Sequence, residues 1–284
     1  MNAPATATVR RTLDTGTEYL LGYVEDRVAV LSLNQPDRRN ALRTEMYDGF
    51  SAVLPGLSAD PEVGCIVVTG EGGAFCAGGD VKGFNENNQR GPSSGAVSRE
   101  AKVDDLRRRM NSVSRALYES PKITIAAIPG AAAGAGLSIA LACDLRVATE
   151  KAIITTAFAK IGASGDFGGS WFLSQLVGHA KAMELYLLSD RVPAAEAERL
   201  GIVNRVFADA DYEAGWQAFA RRIANGPVVA HRYIKENLHR ALGSDLATCL
   251  DAEAPAMVIT MSTEDHREAA AAFVEKRDAV FHGR

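Results

Sequence analysis

The fold is decided by residues 123–143, which read ITIAAIPGAAAGAGLSIALAC and contain no charged residue. A stretch of this length and apolarity is long enough to cross a bilayer as a helix. It is interrupted, however, by one proline and three glycines, namely Pro129, Gly130, Gly134 and Gly136. Because these residues break helices, a buried strand, a tight turn and a short buried helix fit it better than a membrane span.

The composition is that of an ordinary globular chain. Hydrophobic residues make up 47% of the 284 positions and charged residues 23%. The 31 basic and 35 acidic residues leave a net charge of -4, so nothing in the overall charge supports a nucleic-acid partner. The four cysteines are scattered without metal-ligand or redox spacing, and we expect a reducing, cytoplasmic location and no metal.

Hydrophobic periodicity predicts alternating strands and helices in the first half of the chain. The predicted strands are residues 17–25, 27–34, 65–69, 123–128, 145–148 and 152–155. The predicted helices are residues 43–57, 103–118 and 136–142. This alternation is typical of an α/β layer fold. Residues 1–16 are predicted to be a disordered tail, and the polar stretch 84–101 a surface loop.

From about Trp171 the pattern predicts helices. They are residues 180–188, 194–200, 212–224, 228–242 and 246–262. Two apolar stripes on them need a partner surface; the stripes are Trp216, Phe219 and Ile223, and Leu246, Leu250, Met257 and Met261. The pattern leaves two alternatives open, a contact between copies of the chain or packing on the same domain.

Three glycine- and alanine-bearing segments follow predicted strands. They read LNQPDRRNAL at 33–42, GEGGAFCAGGDV at 70–81 and PGAAAGAGLS at 129–138. Small residues at a strand end let a ligand approach the backbone and leave N–H groups free for it, as an oxyanion hole requires. Taken singly, each cluster favours close packing or a tight turn over a ligand site. Neither glycine cluster matches a phosphate-binding or dinucleotide-binding loop.

In this order and spacing the three segments resemble the crotonase superfamily, the enoyl-CoA hydratases and isomerases. The resemblance runs from about Thr17 to the end of the chain and includes residues 189–204. It implies an α/β crotonase-type spiral of repeated strand-strand-helix units over 17–210, and a helical trimerisation region over 211–284. It also implies an acyl-CoA thioester substrate, no permanently bound cofactor besides the coenzyme A of the substrate, and a homotrimer or dimer of trimers.

The resemblance also assigns roles to individual residues. The N–H groups of Gly79 and Ala135 would hold the thioester oxygen, and Arg38 would lie near the phosphates of coenzyme A. Three further residues would line the path of adenine and pantetheine, namely Ala77, Asp80 and Val81. For Arg38 and Arg39, an ordinary solvated charge pair is the alternative.

The sequence departs from the hydratase pattern at two positions. Where classical hydratases carry two glutamates, this chain has Ser138 and Phe158, and neither side chain can activate water. Asp166 follows shortly after and resembles the single acid of the double-bond isomerases, especially the epoxyphenylacetyl-CoA isomerases. We therefore predict Asp166 as the catalytic base, with a pKa raised by Phe158, Phe167 and Trp171. The alternative is that Asp166 only caps the next helix.

Three other functions are weighed against double-bond isomerisation. The first is hydration of a 2-enoyl-CoA, and the second is binding of acyl-CoA without catalysis. The third is hydrolysis or dehalogenation with Asp166 as nucleophile. In the hydrolytic members of the family that this chain resembles, a histidine from an earlier segment serves as the base. All five histidines of this chain, beginning at His179, come after Asp166.

Overall fold

The computed structural model describes residues 10–80 and 97–284. Its strands are β1 Arg11–Thr12, β2 Leu20–Glu25, β3 Val28–Leu33, β4 Cys65–Gly70, β5 Ala74–Cys76, β6 Ile123–Ile128, β7 Ala131–Ala133, β8 Leu145–Thr149, β9 Ile153–Thr155, β10 Val192–Pro193 and β11 Arg205–Phe207. Its helices are α1 Thr44–Ala59, α2 Arg99–Met110, α3 Ala116–Glu119, α4 Ala135–Ala142, α5 Gly169–Val177, α6 His179–Leu188, α7 Ala194–Arg199, α8 Tyr212–Ala224, α9 Val228–Ala241, α10 Leu246–Met261 and α11 Glu264–Glu275. A π-helical turn, Asn111–Arg115, joins α2 to α3.

The strands form two sheets. The larger sheet has the order β1-β2-β3-β4-β6-β8-β11, and the smaller has the order β10-β9-β7-β5. The pairs β4/β5, β6/β7 and β8/β9 each place one strand in the larger sheet and the next in the smaller. Helix α4 follows the second pair and α5 follows the third. The predicted α/β arrangement of strand-strand-helix units is therefore confirmed.

The larger sheet is covered on both faces, which explains why all six residues of β3 are buried. Leu31 and Leu33 belong to the core that also holds Phe50 of α1. Val28 and Val30 point to the opposite face, where they belong to a second core with Trp216 of α8. A strand sandwiched between helices loses the polar side that a half-exposed strand would keep.

Helix α8 packs on the larger sheet. Trp216, Ala220 and Ala224 are buried in the second core with residues of β3, β4, β6 and β8. Helix α8 thus adds to the core of the sheet, and the division at 210/211 stays a prediction. The stripe on α10 is exposed, with Leu246 74% and Met257 59% accessible, so oligomerisation through the last helices stays a prediction.

The predicted tail 1–16 and the predicted loop 84–101 each contain some secondary structure. Residues 11–16 are not a disordered tail, since Arg11 pairs with Val24 in β1 and β2 and Thr15 is buried. Residues 1–9 lie outside the described residues. In the predicted loop 84–101, Ser98 accepts a hydrogen bond from the Ala101 N–H and caps α2, which begins at Arg99; the part of that loop before residue 97 lies outside the described residues.

The apolar stretch 123–143 forms β6, β7 and α4, as the prediction of a strand, a turn and a buried helix requires. Among residues 10–80 and 97–284, no helix is long and apolar enough to span a membrane. Periodicity did not predict three short strands of the smaller sheet, β5, β7 and β10, or two helices, α5 and α11, whereas β9 lies within the predicted strand 152–155.

Asn40 joins the first glycine-bearing segment to the second. It is fully buried and has a left-handed backbone with φ 57°. Its side-chain oxygen accepts from the Gln35 N–H at 2.8 Å. Its side-chain nitrogen donates to the carbonyls of Glu71 at 2.9 Å and Ala74 at 2.8 Å. These three bonds hold the turn at 35–40 against the turn at 71–74.

We expect Asn40→Ala to lower the free energy of unfolding by about 3 kcal/mol, because it leaves two buried backbone groups and one part-buried carbonyl without a partner. Urea denaturation followed by circular dichroism measures this change. Asn111→Ala is the control, since the exposed Asn111 also donates to a backbone carbonyl, that of Arg107 at 2.8 Å. An Asn40→Ala protein as stable as the control variant would contradict the role assigned to Asn40.

Candidate active site

The turns that carry Gly79 and Ala135 touch each other. A Cβ built on Gly78 would lie 2.7 Å from the Ala133 carbonyl oxygen and 3.4 Å from the Ala135 nitrogen. A Cβ on Gly136 would lie 2.5 Å from the Cβ of Cys76. Such distances leave no room for a side chain at either glycine. The second and third glycine-bearing segments therefore meet backbone to backbone.

Both predicted N–H donors lie at this junction. Ala135 is the first residue of α4, where backbone N–H groups have no acceptor within the helix. Gly79 pairs with Leu42 in an isolated parallel bridge. Within residues 10–80 and 97–284, no backbone carbonyl accepts the Gly79 N–H. The structure thus brings the two residues to one junction, and within the described ranges neither N–H has a backbone acceptor.

Asp166 lies in a loop of left-handed backbone before α5. Gly165, Phe167 and Gly168 have φ values of 111°, 50° and 75°. The Oδ1 atom of Asp166 is buried and has no hydrogen-bond partner in the described part of the chain. Burial raises the pKa of Asp166 to about 6. A carboxyl with this pKa can both take up and release a proton near neutral pH.

The alternative role of Asp166 as a helix cap is wrong. Helix α5 begins at Gly169, its N-cap residue is Gly168, and no side chain caps it. Asp166 contributes only its backbone carbonyl, which accepts from the Gly169 N–H at 3.1 Å. Its carboxyl is therefore not engaged at the helix terminus.

The apolar surround of Asp166 is partly as predicted. Phe158 and Phe167 are buried, whereas Trp171 is 45% exposed and packs its ring against Tyr118 and Phe172. Trp171 was predicted to lie near the Asp166 carboxyl because it is close in sequence, but its position on α5 directs its ring toward Tyr118 instead.

Two tyrosines that the sequence analysis missed lie next to the Asp166 loop. Tyr47 of α1 stacks on Phe167 with ring centroids 5.6 Å apart. Tyr186 of α6 stacks on Phe158 with centroids 6.0 Å apart. Burial raises the pKa of both tyrosines, that of Tyr186 to about 12, and the negative charge of Asp166 adds to both shifts. No sequence motif marks either residue, since both come from helices distant in sequence.

A cleft of about 800 Å³ lies beside the Gly79 turn. Arg38 and Asp80 line it and form an exposed ion pair, with Nη1 of Arg38 3.0 Å from Oδ2 of Asp80. Arg43 and Arg109 add two further cations that the sequence analysis missed. Arg38 and Asp80, both predicted to contact coenzyme A, thus line one cleft. Their exposed ion pair also fits the alternative that Arg38 is an ordinary solvated surface charge.

The remaining predicted binding residues differ in placement. The Ala77 N–H donates to the Arg39 carbonyl at 2.9 Å, which puts Ala77 beside the turn that carries Arg38. Val81 lies outside the described residues. Ser138, in the first glutamate position, is buried and its hydroxyl donates to the Gly134 carbonyl at 3.3 Å. In the described part of the chain, no group of three or more histidine, cysteine or acidic residues is placed to hold a metal.

The chain matches the family described as Enoyl-CoA hydratase/isomerase over residues 24–284. A probable enoyl-CoA hydratase of Rhodobacter capsulatus is 35% identical over 92% of this chain and 96% of that protein. The 1,2-epoxyphenylacetyl-CoA isomerase of Escherichia coli K12 is 34% identical over 94% of this chain and 99% of that protein. The crystal structure of an enoyl-CoA hydratase from Polaromonas sp. JS666 has a TM-score of 0.84 and 32% identity, and the match covers 92% of this chain and 99% of that one.

The protein therefore belongs to the enoyl-CoA hydratase/isomerase family. The resemblance to the crotonase superfamily and the expected α/β crotonase fold are confirmed.

We expect Asp166→Asn to raise the melting temperature at about pH 8, with a gain that shrinks toward about pH 4. In the folded wild type, the pKa of Asp166 is about 6, above the ordinary 3.8. The folded state therefore binds the proton more tightly, and stability is lost as pH rises through this window. Asp251→Asn, which removes an exposed carboxylate of α10, is the control. Equal melting temperatures of wild type and Asp166→Asn across this pH range would show that the carboxyl is hydrated.

Proposed function

We propose that the protein shifts a carbon–carbon double bond in an acyl-CoA thioester, with Asp166 as the proton carrier. The observation that carries this proposal is the half-buried Asp166 carboxyl, whose Oδ1 atom is buried without a partner in the described residues and whose pKa is raised to about 6. It is the acid that this chain offers near the two missing glutamate positions. The 34% identical isomerase from Escherichia coli supports the same assignment.

In the proposed reaction, the ionised Asp166 removes a proton from Cα or Cγ of the acyl group. The electron pair moves into a dienolate, and its oxygen accepts hydrogen bonds from the Gly79 and Ala135 N–H groups. Asp166, now neutral, delivers a proton to the other end of the conjugated system, and this proton comes from the solvent when the carboxyl hydrogen exchanges with water during the lifetime of the dienolate. Since one group performs both transfers, a pKa near the working pH favours each of them.

Hydration needs more than one such group, because water must be activated while a proton is supplied. Ser138 is buried with its hydroxyl bonded to a backbone carbonyl, and Phe158 has no acid function. These two residues favour isomerisation over hydration. A nucleophilic role for Asp166 is disfavoured because no histidine precedes residue 179, so a covalent intermediate would lack the water activator of that reaction.

The cleft beside the Gly79 turn is the proposed path of coenzyme A. Three arginines line it, namely Arg38, Arg43 and Arg109, and guanidinium groups bind phosphate oxygens well. Leu42 also lines the cleft and bridges to Gly79. A coenzyme A whose phosphates lie among these arginines would therefore direct its thioester toward the two N–H groups. Ala77, Asp80 and Val81 remain proposed contacts along this path.

The proposal is tested by proton exchange. We expect the wild type to exchange α or γ protons of an enoyl-CoA thioester with deuterated water, and Asp166→Asn to lose this exchange by a factor of about 10³. Nuclear magnetic resonance follows the exchange, and mass spectrometry with ultraviolet absorbance follows 3-enoyl, 2-enoyl and ring-derived thioesters. Asp251→Asn should exchange like the wild type.

The same screen separates the competing functions. A product heavier by one water would make the protein a hydratase, and release of halide or free acid would make it a hydrolase or dehalogenase. Thioester binding without exchange in the wild type would leave a non-catalytic binder. Each of these outcomes overturns isomerisation.

The oxyanion hole has its own test in Ala135→Pro. Proline lacks an N–H but is tolerated at the first position of a helix, and Ala135 occupies that position in α4. We expect turnover to fall by about 10²–10³, the effect of losing one oxyanion donor, with little change in the circular dichroism spectrum. A folded Ala135→Pro protein with wild-type turnover would remove Ala135 from the mechanism.

A further inference from the structure

We infer that Tyr186 is a positioning residue that fixes the Asp166 loop to the helix of the oxyanion hole. This inference rests on the proposed function of Asp166 as proton carrier and adds the residue that holds it in place. Tyr186 lies in α6, twenty positions after Asp166 in the sequence, and belongs to none of the three glycine-bearing segments.

The loop contacts the ring of Tyr186 just before Asp166. A Cβ built on Gly165 would lie 3.1 Å from Cε1 of Tyr186 and 3.7 Å from Cδ2 of Phe158. The backbone of Gly165 therefore lies directly on these two rings. The two rings stack nearly parallel, with an interplanar angle of 7°, and Gly165 lies against both.

The chain contacts the hydroxyl of Tyr186 again just after Asp166. A Cβ built on Gly169 would lie 2.5 Å from this hydroxyl and 2.2 Å from the Oγ of Ser138. Gly169 thus fits against both hydroxyls only because it has no side chain. Asp166 lies between two contact points, Gly165 and Gly169, that share the single side chain of Tyr186.

Ser138 connects this support to the oxyanion hole. Its hydroxyl lies beside that of Tyr186, since both approach the same face of Gly169, and it donates to the Gly134 carbonyl at 3.3 Å. Gly134 caps α4 and directly precedes Ala135. Tyr186 therefore contacts both replaced glutamate positions, Ser138 through its hydroxyl and Phe158 through its ring. One phenol joins the loop of the proton carrier to the turn of an oxyanion donor.

This support matters because the loop has little rigidity of its own. Several of its residues adopt positive φ, including Gly165 and Gly168, and glycines have many other conformations available. Without the Tyr186 hydroxyl the loop would open, water would reach the Asp166 carboxyl, and the desolvation that raises its pKa would weaken. The titratable groups that face the Asp166 charge are Tyr186 of α6 and Tyr47 of α1, with Arg109 of α2 beyond Tyr47.

The test is carbon-13 nuclear magnetic resonance of aspartate carboxyls in the wild type and in Tyr186→Phe, with Asp166→Asn to assign the resonance. We expect the pKa of Asp166 to fall from about 6 toward the ordinary value in Tyr186→Phe. Turnover should fall about tenfold with KM nearly unchanged, because a mispositioned base slows the chemical step more than binding. Ser138→Ala, which removes the other hydroxyl, should shift the pKa in the same direction.

Tyr233→Phe is the matched control, since Tyr233 lies on α9 next to Arg232 and should leave the Asp166 pKa unchanged. An Asp166 pKa equal to that of the wild type in folded Tyr186→Phe and Ser138→Ala proteins would overturn the inference. The titration needs no substrate. A pKa that responds to Tyr186 in a protein that exchanges no thioester protons would therefore contradict only the proposed function, and the positioning role would stand.

Discussion

The close backbone contact between the turn at 76–79 and the start of α4 is the constraint on which the rest of the structure depends. Gly78 and Gly136 lie where a Cβ would come within 3 Å of the opposite turn. Because neither position has a side chain, two N–H groups from segments far apart in sequence can lie side by side. Any larger residue at Gly136 would push α4 away from Cys76 and move Ala135 with it.

The folding pattern brings these turns together at the ends of neighbouring strands. β5 and β7 are adjacent and parallel in the smaller sheet, and each of the two turns directly follows one of them. Asn40 adds the third glycine-bearing segment by hydrogen bonds to the carbonyls of Glu71 and Ala74. Fold and site are thus held by the same contacts, and a change that loosens one loosens the other.

At Asp166, by contrast, the feature that suits the proposed function lowers the stability of the fold. Burying a carboxyl without a hydrogen-bond partner destabilises the folded protein at neutral pH. The same burial raises its pKa to about 6, which suits a group that must accept and return one proton. Tyr47 and Tyr186 lie next to this loop as neutral groups, because burial raises the pKa of each phenol.

The sequence by itself determined the α/β class, the long strands and most helices, because hydrophobic periodicity reports which residues face a core. Through the family resemblance, its glycine-bearing motifs and the acid after them also pointed to Gly79, Ala135 and Asp166, whose roles stay predictions. Only the tertiary structure decided that α8 covers the sheet, that Trp171 turns away from Asp166 and that Tyr47 and Tyr186 surround it. The physical reason is that side-chain direction and contacts between distant helices depend on packing in three dimensions, and periodicity along one helix carries no information about its partner.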